Sequence, residues 1–135
     1  GIVQSTEGGA LAKQLPFFRL GLGGRAGSGR QYVSWISIDD EVRAIQFLLT
    51  HDVSGPVNLV APEPVTNGEY TKVLGGVLHR PTTILPMIGP RLLYGRELAD
   101  SLLLTSQRVV PAALVDAGFE FDHPELRGAL EHLLG

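Results

Sequence analysis

Residues 31–45, reading QYVSWISIDDEVRAI, constrain the fold of this chain more than any other stretch. Tyr32, Val33, Trp35, Ile36 and Ile38 are β-branched or aromatic, types that fit a pleated, half-buried surface, so the run reads as extended. Asp39 and Asp40 end it. A carboxylate at that point can accept from the free N–H groups of a first helical turn, which gives Asp40 the role of a structural cap. Beyond it Val42, Ile45, Leu48 and Leu49 share one helical face, while Arg43, Gln46 and Thr50 share another.

The flanking segments supply what this strand–cap–helix unit packs against. Ile2 and Val3 form a strand end too short to stand without neighbours. Leu11, Leu15 and Phe18 lie on one side of a short helix that Pro16 is expected to kink or divide. Five glycines between residues 21 and 29 read as a flexible, hairpin-like loop. Residues 56–60 read as a short buried strand, followed by a loop held open by Pro62 and Pro64.

Thr66 and Glu69 form a capping box, and Tyr70, Val73, Leu74, Val77 and Leu78 follow the helical repeat without a miss. Residues 82–85 suit an edge strand, and 88–104 suit two short helices broken near Gly89, Pro90 and Gly95. Residues 107–110 are extended, Pro111 opens a helix that Gly118 closes, and Leu126, Ala129, Leu130, Leu133 and Leu134 stripe a last helix. The fold class expected is α/β (α+β if taken as an isolated piece), mostly helical with a few short strands.

Composition removes several functions. A net charge of −3 with 11 Lys and Arg offers no basic stripe for nucleic acid. The absence of cysteine excludes a disulfide framework, a thiolate nucleophile and a cysteine zinc site. No apolar run approaches the roughly 20 residues that span a bilayer, and no signal peptide opens the chain, so a cytoplasmic protein is expected.

Several motifs, in this order, carry a resemblance: Gly8-Gly-Ala-Leu11, the glycines up to Gln31, Trp35-Ile-Ser-Ile-Asp-Asp-Glu-Val42, Gly55-Pro-Val-Asn-Leu59, Ala61-Pro-Glu-Pro-Val-Thr66, His79-Arg-Pro81, residues 104–111 and Ala117-Gly-Phe-Glu-Phe121. Together they resemble the C-terminal part of extended and atypical short-chain dehydrogenase/reductases. The resemblance is to the epimerase-like branch, nucleoside-diphosphate-sugar epimerases with an extra C-terminal module.

The resemblance implies that residues 1–80 hold the end of a Rossmann sheet and a substrate-binding region, and that 81–135 form the helical module. It also implies that a cofactor-binding half precedes this chain, with NADP or NAD bound in the full-length protein. The substrate would be a small molecule of the nucleotide-sugar kind, met by Gln4, Gln31, Trp35 and Met87. Expected partners are that missing N-terminal Rossmann half and a second copy in a homo-oligomer, with neither nucleic acid nor membrane.

The family's catalytic elements are missing from this chain. Its Tyr-x-x-x-Lys pair has no counterpart, because Tyr32, Tyr70 and Tyr94 are followed four residues on by Ile36, Leu74 and Leu98. Gly21-x-Gly-x-x-Ala26 half-matches a dinucleotide fingerprint, but it lies between a helix and a strand, the reverse of the order the chemistry needs. No catalytic residue and no bound cofactor are therefore expected of this chain alone.

Where nucleotide-sugar enzymes of the family carry Arg-Asp-aromatic, Val33, Ser34 and Trp35 stand here, and Ser37 replaces a histidine. No two of His51, His79, His123 and His132 are three or four residues apart, so spacing offers no metal-ligand pair. The alternative to a substrate-binding half is a non-catalytic binding module of the same fold.

Overall fold

The structure, a computed structural model, describes residues 1–85, 91–92 and 95–135. Six strands and six helices are assigned among them. In order these are β1 (Ile2–Gln4), α1 (Gly9–Arg19), β2 (Gly24–Ala26), β3 (Tyr32–Val33), β4 (Trp35–Ser37), α2 (Ile38–Thr50), β5 (Val65–Thr66), α3 (Asn67–Leu78), β6 (Thr83–Leu85), α4 (Arg96–Leu104), α5 (Ala112–Asp116) and α6 (Leu126–Leu134). The chain is mixed α/β, mostly helical with short strands.

The strands form three two-stranded pairs. β1 runs parallel to β4 with Val3 opposite Ile36, and β2 runs parallel to β6 with Arg25 opposite Ile84. β3 and β5 are antiparallel, Tyr32 opposite Thr66. Parallel strands need a crossover between them, and α1 lies in the connection from β1 to β4. Parallel sheets are ordinarily covered on both faces by further layers.

Two cores hold these elements. Leu11, Leu15 and Phe18 of α1, Trp35 of β4, Ala61, Tyr70 and Leu74 of α3, and Leu126, Ala129 and Leu130 of α6 form the larger. Ala44, Leu114 and Phe119 form the smaller, backed by Phe47, Leu48, Val57, Leu59 and Phe121. The larger joins elements from both ends of the chain, and the smaller joins α2 and residues 57–59 to residues 114–121.

Several expectations need correction. α1 passes through Pro16 undivided, because Leu11, Leu15 and Phe18 anchor it in the core on both sides of the proline. The glycine loop contains a strand, β2, whose partner lies almost sixty residues away. A Cβ on Gly24 would collide with the Thr83 carbonyl, so the close strand approach requires glycine there.

Residues 56–60 form no ladder. Val60 and Ala61 are nonetheless buried, and the Ala61 N–H donates to the Trp35 carbonyl at 2.7 Å. Residues 107–110 likewise join no strand, although the Gln107 N–H donates to the Tyr32 carbonyl at 3.0 Å. Of the two short helices expected over 88–104, α4 is described, and the first falls partly outside the described residues.

The largest correction concerns α2. Of its expected core stripe, Val42, Ile45, Leu48 and Leu49, only Leu48 packs against a core and the other three are exposed, Leu49 81% accessible. Asp40 and Ala44 are the buried positions, and Phe47 and Leu48 pack onto the smaller core. At 100° per residue, Val42, Ile45 and Leu49 lie opposite Ala44 and Phe47, so α2 is apolar on two faces. This chain covers the side of Ala44 and Phe47 and leaves the other exposed.

Candidate functional site

Gln4 and Trp35, both fully buried, spend their polar atoms inside the chain. The Trp35 indole N–H donates to the Glu63 carbonyl at 2.9 Å, while its ring fills the larger core. The Tyr70 hydroxyl donates to Gln4 Oε1 at 2.8 Å and reaches Gln14 Oε1 at 3.5 Å. Gln31 is 8% accessible and donates through its side-chain amide to the Ala26 carbonyl at 2.9 Å. Trp35 and Gln4 therefore do not face an open substrate cavity in this chain, because alternation along a strand fixes which residues share a face and not which face meets solvent. Met87 lies outside the described residues.

Burial raises the pKa of the Tyr70 hydroxyl above its ordinary value of 10.0, with the Gln4 hydrogen bond pulling the other way. This tyrosine is a hydrogen-bond donor in the core, and the residue four positions on is Leu74, not lysine. A hydroxyl whose folded pKa is raised contributes stability that is present below pH 10.0 and is lost as pH rises through the folded value. Tyr70→Phe is expected to cost about 1–3 kcal/mol near neutrality, because Gln4 Oε1 loses its buried donor. The variant should also lose less stability than the parent chain above pH 10.0, measured by urea denaturation across that range.

Asp40 is structural, but it is not the helix cap. Ser37 is the N-cap, its Oγ accepting from the Asp40 N–H at 3.1 Å. The fully buried Asp40 carboxylate instead grips a distant loop, accepting from the Asp122 N–H through Oδ1 and the His123 N–H through Oδ2, each at 2.9 Å. Arg43 completes the clasp, donating to Asp40 Oδ1 at 3.1 Å and the Glu120 carbonyl at 3.0 Å, with Phe119 beneath its guanidinium. At α3, Thr66 Oγ1 accepts from the Glu69 N–H at 3.2 Å and donates to Glu69 Oε1 at 3.1 Å.

Asp39 turns outward beside this clasp. Its Oδ2 lies 2.9 Å from His132 Nε2 and 3.7 Å from His123 Nε2, and the two imidazoles stack at 4.6 Å between centroids. No spacing rule could find this group, because its members come from α2, the 121–125 loop and α6.

Two shallow grooves are also present. Arg43, Gln46, Phe47, His51, Phe119 and Glu120 line one. Arg25, Thr66, Glu69, Lys72, Thr82 and Thr83 line the other, beside the start of α3, so two cations and one carboxylate stand there among hydroxyls. Among the described residues no helix is long and apolar enough to cross a membrane.

A parallel strand pair linked through a helix, with helices packed around short strands, places the described residues in the mixed α/β class. Comparison with known proteins makes this specific. Residues 85–133 match the model of a domain of unknown function, DUF1731. The chain is 51% identical over 132 residues to the epimerase family protein MT2273 of Mycobacterium tuberculosis, covering 96% of this chain and 44% of that protein.

It is also 38% identical over 136 residues to the chloroplastic SDR39U1 homolog of Arabidopsis thaliana, an epimerase family protein, covering 99% of this chain and 39% of the relative. The crystal structure of human epimerase family protein SDR39U1 (isoform 2) with NADPH superposes with a TM-score of 0.92 at 37% identity, over 98% of this chain and 45% of that one. A nucleoside-diphosphate sugar epimerase from Corynebacterium glutamicum matches with a TM-score of 0.68 at 34% identity, over 100% of this chain and 25% of that one. The chain corresponds to the C-terminal part of epimerase family proteins of the short-chain dehydrogenase/reductase type. It spans less than half the length of these relatives.

Proposed function

We propose that this chain is the substrate-side portion of an NADP-dependent epimerase or oxidoreductase, completed by a Rossmann half that covers β1 and the bare face of α2. The observation that carries the proposal is the match, at a TM-score of 0.92, to a protein crystallised with NADPH, of which this chain corresponds to 45%. The exposed Val42, Ile45 and Leu49 and the half-exposed Ile2 support it, since they lie where a second layer would dock. Residues 1–80 then close the sheet and receive substrate, and 81–135 form the helical module against them. The groove of Arg25, Lys72 and Glu69, with two cations to one carboxylate, offers a polar surface for a substrate of the nucleotide-sugar kind.

Within that assembly the cofactor's phosphates and the proton-transfer pair belong to the other half. This chain alone should then bind NADPH more weakly than about 100 μM, equivalent to about −5.5 kcal/mol. Following nucleotide fluorescence while titrating the chain into NADPH tests this, and a tighter constant would show that it holds a nucleotide site of its own.

A further inference from the structure

We propose that Asp39, His123 and His132 form a binding site for a divalent transition-metal ion of the zinc class, outside the groove and core described above. Their candidate ligand atoms, one from each residue, all lie within 4.8 Å of one another. Two imidazole nitrogens and one carboxylate oxygen are a donor set that zinc takes at about 2.0–2.2 Å, usually in tetrahedral geometry. Tetrahedral bonds of that length put neighbouring donors about 3.4 Å apart. The observed 2.9 and 3.7 Å from Asp39 Oδ2 to the two Nε2 atoms bracket that separation. The two imidazole donors lie within 4.8 Å of each other and their rings stack at 27°, so both rings must turn about their side-chain torsions for their lone pairs to meet on one ion.

The ligands are held by the backbone around them. Asp39 and Asp40 are consecutive residues in the first turn of α2, which Ser37 caps. Asp40 is fully buried and binds the His123 N–H, so the residue that anchors the loop sits next to the residue that meets its ring. His132 arrives from α6, whose Ala129 and Leu130 are fully buried in the larger core. Three elements thus converge on one point through contacts that do not depend on the ion.

Asp39 and His132 are half exposed, which leaves a fourth position open to water. The exposed setting fits a clasp that ties α6 and the 121–125 loop to α2 better than it fits an enclosed catalytic ion. Histidine and carboxylate donors favour zinc, nickel, copper or cobalt over magnesium and calcium, which prefer oxygen ligands.

The test is calorimetric titration of Zn²⁺ and, separately, Mg²⁺ into the 135-residue chain, with melting temperature read in parallel. Saturable 1:1 Zn²⁺ binding with a rise of several degrees is expected, and no such response to Mg²⁺. His132→Ala and Asp39→Asn alter half-exposed side chains, so both should keep the parent's circular dichroism spectrum. Each should weaken Zn²⁺ affinity at least tenfold and abolish the thermal shift. His79→Asn, far from the cluster in sequence and at the end of α3, should bind as the parent does. Unsaturable binding, or equal affinity in His132→Ala and the parent, would overturn the assignment and leave a hydrogen-bonded Asp–His cluster only.

Discussion

Trp35→Ala should lower the folding free energy by about 3–5 kcal/mol, the range for removing a large aromatic side chain from a packed core. The ring has no accessible surface and touches the core that α1, α3 and α6 share. Its loss would leave a cavity at the junction of three helices, and the indole's partner, the Glu63 carbonyl, would lose its donor. The change should act on the amount of folded protein, measured as a shift in denaturation midpoint with an unchanged slope. A loss below about 1 kcal/mol would mean that the ring sits at a surface instead.

Asp40→Ala is the second large effect, at about 3 kcal/mol. A lost helix cap would cost about 1 kcal/mol, but Asp40 holds more than a helix end. Two backbone N–H groups of the 122–123 loop and the Arg43 guanidinium all converge on its carboxylate. Hydrogen bonds to a charged group are worth about 1.5–3 kcal/mol each, and without Asp40 the two loop N–H groups lose their acceptor, while the half-exposed Arg43 keeps solvent and Asp122. Ser37→Ala, which removes the actual cap, should cost about 1 kcal/mol. Chemical denaturation of both variants checks the ranking, and an Asp40→Ala loss no larger than that of Ser37→Ala would mean that its grip on the 122–123 loop adds nothing to stability.

The parts of this fold legible in the sequence are those set by local chemistry. α3 announces itself through Thr66, Glu69 and an unbroken apolar repeat, because a cap and a helical face depend only on residues within one or two turns. The turn from strand to helix near residue 38 is legible for the same reason, although the cap fell to Ser37, three residues before Asp40.

What could not be read depends on distant partners. β2 is a strand only because β6 pairs with it, and a run of glycines carries no strand signal. Asp40 looks like a cap until the loop at 122–123 folds onto it. His123 and His132 are nine residues apart and meet only because the chain turns at 124–125 before α6. On α2 Val42, Ile45, Leu48 and Leu49 read as the core stripe, but periodicity cannot say which apolar residues this chain covers and which it leaves exposed.

That uncovered stripe is where the account is most exposed to test. Replacing the matching C-terminal residues of the Mycobacterium tuberculosis relative with this chain would create a protein in which the proposed Rossmann half is present. The measurement is the stability cost of Ile45→Asp in that chimera against its cost in the isolated chain. In the isolated chain Ile45 is half exposed, so the change should stay within about 0.5 kcal/mol. In the chimera the same carboxylate would be forced into an apolar interface, and a loss of about 2–4 kcal/mol is expected. Equal small costs in both proteins would contradict the account, because α2 would then face solvent in the complete protein as well.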